Sequence, residues 1–343
     1  MKPLKAVRLE PWMQYAGEGG KPSGPCIPNI DESNVSIVIP TFCRPERVAF
    51  ALESALATGA GEIIVSDDSD NDETAGILRK FRDPRIRIIR NRERLGLWKN
   101  HLSALGSANR PWIKFLQDDD ILSPDALRVM LSHATRCTAV ISALPLFENW
   151  PERTRWTPFV LRSAIRWERA TYLPRMVVVG NSELGNPSCS LFRSDVLERT
   201  EAAWADDMSC DLVANVIAAG RGEAVIVPPG PVIVSLHGGQ DTNRQGSALA
   251  ERRAVNAVKY MKTYPDPHVR KFACAYEKTE RLTRLFLGVL SMTHRKNGSL
   301  RDIFNSYRCA SGTPFPLDAI AVVNSLKRIA WNVRCWNMRK VVY

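Results

Sequence analysis

The chain has 343 residues, of which 45% are hydrophobic, 24% charged and 8% aromatic. This balance is typical of a globular protein and excludes disordered, collagen-like and disulfide-scaffold chains, while the length allows two domains or one large α/β domain with insertions. The 47 Lys and Arg residues exceed the 36 Asp and Glu residues, and the net charge of +11 favours an anionic partner such as a nucleotide, a nucleic acid or an acidic membrane surface.

The first part of the chain alternates short apolar runs with helix-length stripes. Residues 1–33 are rich in glycine and proline without a period, which indicates an irregular arm. The alternation that follows predicts βαβ units and a mostly parallel sheet flanked by helices. The predicted strands cover 35–39, 62–66, 85–90, 112–116 and 139–142. The predicted helices cover 46–57, 73–81 and 97–108, and a fourth is capped by Ser123 with Pro124 at its first position.

Beyond residue 145 the order of elements is less regular. A helix is predicted from about 206 to 219, followed by strands over 224–227 and 232–236, and residues 250–308 are predicted to be helical. Residues 319–343 predict one amphipathic helix with five cations and no acid. Two interpretations stay open for this tail: a helix lying on an anionic lipid surface, or a helix packed on the rest of the protein with solvated charges.

The cysteine spacing and the hydropathy pattern indicate the cellular compartment in which the protein is expected. The eight cysteines are scattered too widely for a CxxC redox pair or a zinc knuckle, so we expect a reduced, cytoplasmic protein. The charged start lacks the apolar core of a secretory signal, and no apolar run approaches the ~20 residues that span a bilayer. We therefore expect any membrane contact to be peripheral, at the inner face of the cell membrane.

Polar residues end three of the predicted strands, at Thr41, at Asp67–Asp68 and at Asp118–Asp120. In an open parallel sheet, ligands bind beyond these carboxyl ends. Two acidic clusters at one edge repel each other unless a cation lies between them, and carboxylate oxygens suit Mg²⁺ or Mn²⁺. One aspartate would suffice to cap the following helix, so three in a row favour a functional site.

Four motifs in order carry a family resemblance. They are Val35-Ser-Ile-Val-Ile-Pro-Thr41 with Arg44, Glu62-Ile-Ile-Val-Ser-Asp-Asp68 with Asp72, Leu95-Gly-Leu-Trp-Lys-Asn100, and Trp112-Ile-Lys-Phe-Leu-Gln-Asp-Asp-Asp120. Together they resemble the family 2 glycosyltransferases, inverting enzymes with a GT-A fold, over about residues 34–240. The resemblance implies a Rossmann-like α/β domain over 34–245, with a nucleotide-binding half (34–145) and an acceptor half (146–245). A helical region with the basic tail then covers 246–343.

The resemblance also implies roles for individual residues in binding a nucleotide-diphosphate sugar. It assigns Asp68 to the nucleobase and Asp119 to the metal, with Asp118 or Asp120 helping, because Gln117 stands where many members have the first aspartate. His237 resembles a histidine near the donor phosphates and is included with the metal ligands, although a lone histidine is as often structural. The implied nucleotide-binding set is Pro40, Thr41, Arg44, Asp68, Asn100 and Asp118.

The general base remains open between two aspartates. Family members use an aspartate at the start of a helix, and counting back from Gly220 leads to Ser209, which cannot accept the proton. Asp207 and Asp211 flank Ser209 and are both candidates, with Asp211 slightly favoured because it opens the helical run. A solvated helix face is the alternative for each.

The sequence thus favours a metal-dependent inverting glycosyltransferase. We expect a glycan or lipid-linked acceptor, a role in surface polysaccharide or glycoconjugate synthesis, and no nucleic acid partner. One alternative is a sugar-1-phosphate nucleotidyltransferase, but the loop after the first strand lacks the glycines that a triphosphate would need. The other is a basic nucleic-acid-binding protein, against which the acidic strand ends count.

Overall fold

A computed structural model describes residues 30–157, 161–179, 184–238, 246–294, 320 and 322–330, so the irregular arm before residue 30 and the tail after residue 330 lie outside the described residues. The strands are β1 Val35–Thr41, β2 Glu62–Asp67, β3 Ile86–Arg90, β4 Trp112–Phe115, β5 Ile121–Leu122, β6 Thr138–Ala143, β7 Leu146–Asn149, β8 Thr154–Trp156, β9 Ile165–Trp167, β10 Ser190–Arg193, β11 Glu223–Val227 and β12 Val232–Leu236. The helices are α1 Pro45–Leu56, α2 Glu73–Leu78, α3 Leu97–Gly106, α4 Ala126–Leu131, α5 Arg169–Val179, α6 Cys210–Arg221, α7 Gly246–Thr263 and α8 Pro267–His294.

Eight strands form the central sheet in the order β3-β2-β1-β4-β10-β6-β11-β9. The strands β3, β2, β1 and β4 run parallel, as the alternation of strands and helices predicts, and β6 and β11 are also parallel. Strand β10 lies antiparallel between β4 and β6, and β9 is antiparallel to β11. The sheet is therefore mixed, with its parallel part at the predicted nucleotide-binding half.

The central parallel strands β1 and β2 are buried along almost their whole length. All seven residues of β1 are buried, which is typical of a strand that helices cover on both sides. Helix α1 buries Val48, Ala51, Leu52 and Ala55 on one face, as its sequence period predicts. These residues belong to one apolar cluster with residues of β1, β2 and α4.

A second sheet, in the order β5-β12-β7-β8, was only partly foreseen. Strand β5 follows the three aspartates directly, and it pairs antiparallel with β12 through Val232 opposite Leu122. Strand β12 ends at Leu236, one residue before His237. This small sheet therefore brings the acidic segment and His237 to one place, although they are far apart in the chain.

Several predicted helix boundaries are corrected by the structure, and among them helix α6 begins at Cys210 rather than at about residue 206. Helix α4 begins at Ala126 after Asp125, not after Ser123. The reason is that the Ser123 N–H donates to the Pro231 carbonyl oxygen at 3.0 Å and its hydroxyl donates to Asp125 at 2.8 Å, which holds Ser123 in the turn before the helix. The predicted helical region after residue 250 is divided into α7 and α8 by residues 264–266, where Pro265 interrupts the helix.

The chain folds into two compact units, one within Met1–Tyr172 and Asn181–Ala257, the other within Leu173–Gly180 and Val258–Tyr343. The first unit holds both sheets. The second holds α8 and the helical residues 322–330, where the buried Arg328 donates to the carbonyl oxygens of Val177 and Val178 and pairs with Glu280. Among the described residues, no helix is both long and apolar enough to cross a membrane.

Candidate active site

A pocket of about 500 Å³ lies at the carboxyl ends of β1, β2 and β4. Parallel strands direct their C-terminal loops to the same edge, which is where open α/β sheets bind ligands. The pocket is lined by Pro40, Thr41, Phe42, Cys43, Arg44, Asp68, Arg94, Gly96, Leu97, Asn100, Gln117, Asp118, Asp206 and Arg253. Every residue predicted to bind the nucleotide is in this set, so the structure brings together six side chains from four separate motifs.

Arg44 and Thr41 hold the first aspartate of the acidic segment. The Thr41 hydroxyl donates to Asp118 Oδ2 at 2.8 Å, and the Arg44 guanidinium donates to Asp118 Oδ1 at 2.8 Å and to Asp119 Oδ2 at 3.2 Å. Burial raises the pKa of Asp118 to about 6, and the charge of Arg44 opposes that rise. Arg44 therefore already neutralises part of the acidic segment.

Asp68 holds the loop between β3 and α3 against the pocket. Its carboxylate is buried and accepts hydrogen bonds from the backbone N–H groups of Leu95 and Gly96, at 2.8 and 2.9 Å, and from the Asn91 amide at 3.0 Å. Gly96 has a φ of +85°, a conformation that favours glycine. The loop geometry thus depends on both residues.

Asn100 connects the same loop to the sheet. Its side-chain amide donates to the carbonyl oxygens of Thr41 and Ser66, both at 3.1 Å, and its own carbonyl oxygen accepts from Asn91. The residue is buried, so these partners satisfy polar groups that water cannot reach. Asn100 therefore fixes the ends of β1 and β2 at the pocket edge.

Asp119 and His237 lie side by side, with His237 Nε2 at 2.9 Å from Asp119 Oδ2. Both oxygens of Asp120 accept hydrogen bonds, Oδ1 from the Ser235 N–H and Oδ2 from the Asn186 amide, at 3.0 and 3.1 Å. Burial raises the pKa of Asp120 to about 7, with a further contribution from the charge of Asp119. Asp120 thus connects the acidic segment to β12, and the metal role predicted for it stays a prediction.

The side-chain oxygen and nitrogen atoms of Asp119 and His237 are chemically suited to a divalent cation whose remaining ligands would come from the substrate and water. No group of three or more His, Cys, Asp or Glu side chains that could hold a metal occurs among the residues that the structure describes. Asp119 and His237 nonetheless offer a carboxylate and an imidazole at one point, beside carboxylates with raised pKa values. Mg²⁺ and Mn²⁺ sites commonly combine one or two carboxylates with water and substrate phosphates, and the carboxylate of Asp119 is of the kind that such sites use.

The three aspartates before and within α6 occupy different surroundings. Asp207 is exposed, and its carboxylate accepts a hydrogen bond from the Asn256 amide at 2.7 Å. Asp211 lies in the first turn of α6 and is half-buried. Neither is among the described residues that line the pocket, whereas Asp206 is, and its Oδ1 accepts from the Trp98 N–H at 3.2 Å. Sequence reasoning missed Asp206, because its position follows from contact with the start of α3 rather than from spacing.

Sequence reasoning also missed two arginines of the pocket. Arg94 stacks over the Phe42 ring, with its guanidinium carbon 4.2 Å from the ring centroid. Arg253 comes from α7, and its Nε is buried without a hydrogen-bond partner in the described part of the chain. The net positive charge predicted an anionic ligand, but only the fold shows which cations line the pocket.

Comparison with known proteins gives a matching family and partial relatives. The model of Glycosyl transferase family 2 matches residues 36–200. The succinoglycan biosynthesis protein ExoO of Rhizobium meliloti is 32% identical over 118 residues, which are 34% of this chain and 34% of that protein. The UDP-Glc:alpha-D-GlcNAc-diphosphoundecaprenol beta-1,3-glucosyltransferase WfgD of Escherichia coli is 30% identical over 105 residues, 30% of this chain and 42% of that protein. The chain thus spans less than half of these relatives.

Solved structures with the same fold cover more of the chain. The TarS 1-349 structure from S. aureus in complex with UDP-GlcNAc aligns with a TM-score of 0.59 and 14% identity, covering 87% of this chain and 88% of that one. The mannosyltransferase PcManGT from Pyrobaculum calidifontis in complex with GDP-Man and Mn²⁺ aligns with a TM-score of 0.53 and 15% identity, covering 89% and 87%. At this identity the likeness establishes the fold.

Proposed function

Because residues 36–200 are a family 2 glycosyltransferase domain with a GT-A fold, we propose that this chain transfers a sugar from a nucleotide-diphosphate sugar to an acceptor hydroxyl. The observation that carries the proposal is the pocket at the ends of β1, β2 and β4, which gathers all six residues predicted to bind the nucleotide. The TarS and PcManGT structures contain UDP-GlcNAc and GDP-Man, so both nucleotide classes are candidates for the donor.

We propose that Asp119 and His237 hold a divalent cation at the donor diphosphate. When bound, such a cation neutralises the negative charge that develops on the departing diphosphate. The PcManGT structure with GDP-Man and Mn²⁺ supports this assignment by fold. Arg44 contacts Asp119 as well, so it orients this carboxylate and keeps the acidic segment from repelling an anionic donor.

An aspartate is proposed as the general base. In the transfer step the acceptor oxygen bonds to the anomeric carbon, the bond from that carbon to the diphosphate oxygen breaks, and the hydroxyl proton moves to the carboxylate. Asp207 and Asp211 remain the sequence-based candidates, and Asp206 joins them because it lines the pocket. Its contact with the start of α3 also gives Asp206 a structural role, so activity alone cannot assign it.

Single Asp→Asn variants of the three aspartates, each assayed for sugar transfer and for donor binding, distinguish which one is the base. Replacing the base is expected to reduce transfer by roughly 10²–10⁴-fold while donor affinity is retained. The other two variants then serve as matched controls. Near-normal transfer in all three variants would place the base elsewhere.

We further propose that the acceptor hydroxyl belongs to a lipid-linked glycan. WfgD is named for a diphosphoundecaprenol acceptor, and ExoO for the biosynthesis of a polysaccharide. Near the C-terminal end of the described residues, Ile320, Val323 and Leu326 are exposed while Arg328 is buried, so this segment presents apolar side chains outward. The adjoining basic tail complements anionic headgroups, and we propose peripheral contact with an anionic membrane.

Two measurements test these proposals separately. Incubating the purified chain and Mn²⁺ with a panel of UDP- and GDP-sugars should show release of nucleotide diphosphate from one of them. Absence of release and of binding across the panel would contradict the transferase proposal. Sedimentation with phosphatidylglycerol vesicles should exceed that with phosphatidylcholine vesicles and should fall when Val323 and Leu326 are both replaced by serine. Equal sedimentation with both vesicle types would contradict the membrane proposal.

A further inference from the structure

Arg253 is an arginine of the pocket that lies outside the segment matched by the family. It belongs to α7, beyond residue 200, and lines the same pocket as Thr41 and Asp118. Its Nε is buried, and no described residue accepts a hydrogen bond from it. A buried guanidinium N–H without an acceptor is unfavourable, because the lost hydration is not replaced. An arginine that lines the pocket therefore carries a donor group that has no acceptor among the described residues.

The other two arginines that line the pocket already contact protein side chains. Arg44 pairs with Asp118 and Asp119, and Arg94 stacks on Phe42. Two aspartates before α6 are also engaged, since Asp206 accepts from the Trp98 N–H and Asp207 from the Asn256 amide. Arginine binds phosphate through a planar fork of N–H groups, which suits a diphosphate that enters this pocket.

We propose that Arg253 binds a phosphate oxygen of a diphosphate-containing substrate in this pocket. The proposal rests on the proposed function, because both of its substrates, a nucleotide-diphosphate sugar and a polyprenyl-diphosphate-linked acceptor, carry such a group. Arg253 then extends the binding site from the family 2 domain onto α7. The side chain acts by binding and positioning and takes no part in proton transfer.

Two probes distinguish the donor from the acceptor as the source of the phosphate. UDP represents the donor, and farnesyl diphosphate represents a polyprenyl diphosphate. Uridine, which lacks phosphate, measures the nucleoside contribution alone. Each is titrated calorimetrically, with Mn²⁺ present, into the full chain and into its Arg253→Gln and Arg253→Lys variants. Arg252→Gln is the matched control, because Arg252 is exposed and is the adjacent residue of the same helix.

In Arg253→Gln we expect affinity for UDP or for farnesyl diphosphate to fall roughly 10–100-fold, with uridine affinity unchanged. Arg253→Lys should restore part of the loss, because lysine keeps the charge but not the fork. Loss with UDP assigns Arg253 to the donor, and loss with farnesyl diphosphate alone assigns it to the acceptor. Thermal unfolding of each variant shows whether it is folded at the titration temperature.

The proposal is overturned if folded Arg253→Gln binds both diphosphates with the same affinity as Arg252→Gln. It is also overturned if the affinity of Arg253→Gln for uridine falls by the same factor as its affinity for UDP. A wild-type chain that binds neither UDP nor GDP and hydrolyses no nucleotide sugar would instead contradict the proposed function. The two failures are therefore distinguishable, since one concerns the variant and the other the wild-type chain.

Discussion

His101 supports the pocket from the buried side. It is fully buried on α3, where its Nδ1–H donates to the Leu97 carbonyl oxygen at 2.7 Å and its Nε2 accepts from the Gln117 amide at 2.8 Å. Gln117 lines the pocket at the position where the family resemblance implies an aspartate. Burial lowers the pKa of His101 to about 4, so the neutral ring that this arrangement needs persists at neutral pH.

The lowered pKa of His101 predicts a loss of stability in acid. Between about 4 and 6.5 the unfolded chain binds the proton and the folded chain does not, so the free energy of unfolding rises with pH in this window. The contribution is about 3 kcal/mol, fully present above pH 6.5 and lost as the pH falls to about 4. Urea unfolding across this range should show a smaller decline in His101→Asn than in wild type. His268→Asn, at an exposed position, is the control, and equal declines in all three proteins would contradict the prediction.

Asp119 is predicted to bind the metal, and its removal should leave the fold intact. Its Oδ2 is shared by Arg44 and His237, and Asp118 still pairs with Arg44 when Asp119 is removed. Asp119→Ala is therefore expected to keep the fold but to lose the increase in UDP affinity that Mn²⁺ gives. Calorimetric titration of UDP with and without Mn²⁺ measures the difference, with thermal unfolding as the check on folding. An unchanged effect of Mn²⁺ in the variant would contradict the metal assignment.

At the scale of elements, the turn before α3 depends on Gly96. Its φ is +85°, and a Cβ built there would lie 2.3 Å from Asp206 Oδ2. Gly96→Ala should therefore strain the turn, displace Asp206 and lower the free energy of unfolding by about 1 kcal/mol or more. Gly106→Ala is the matched control, because no atom lies within 4 Å of its added Cβ. Denaturant unfolding and UDP titration of both variants check the prediction, which fails if Gly96→Ala behaves like Gly106→Ala.

Elements that local pattern specifies were predicted well, and those that need a distant partner were not. Strand β1 and helix α1 follow from a β-branched run and an apolar stripe. Strand β5 has only two residues and exists because β12 pairs with it, so no local signal identifies it. The same division holds in the site. Asp68 belongs to a motif and was found, whereas Asp206 and Arg253 reach the pocket only through tertiary packing.

At the scale of the whole molecule, β10 joins the two parts of the central sheet. Leu191 is fully buried at its centre, opposite Lys114 of β4 and Ile141 of β6. Leu191→Ala should lower the free energy of unfolding by about 2–5 kcal/mol, because a cavity opens in the apolar cluster to which the side chain belongs. Ile88→Ala on the edge strand β3, where the side chain is 40% exposed, should cost about 1 kcal/mol or less. Denaturant unfolding measures both variants, and equal losses would show that β10 is not a central connection.

The position of β10 also orders events during synthesis on the ribosome. Strands β4 and β6 emerge early, but the strand that lies between them is not available until residue 193 has left the exit tunnel. Until then each presents an unpaired edge, the kind of surface that recruits strands of other chains. Nascent chains interrupted before this point therefore hold the parallel strands β3, β2, β1 and β4 with an open edge at β4, and a strand β6 that has no partner yet in the central sheet. The edge of the N-terminal parallel strands, at β4, is thus covered only after β10 has been translated.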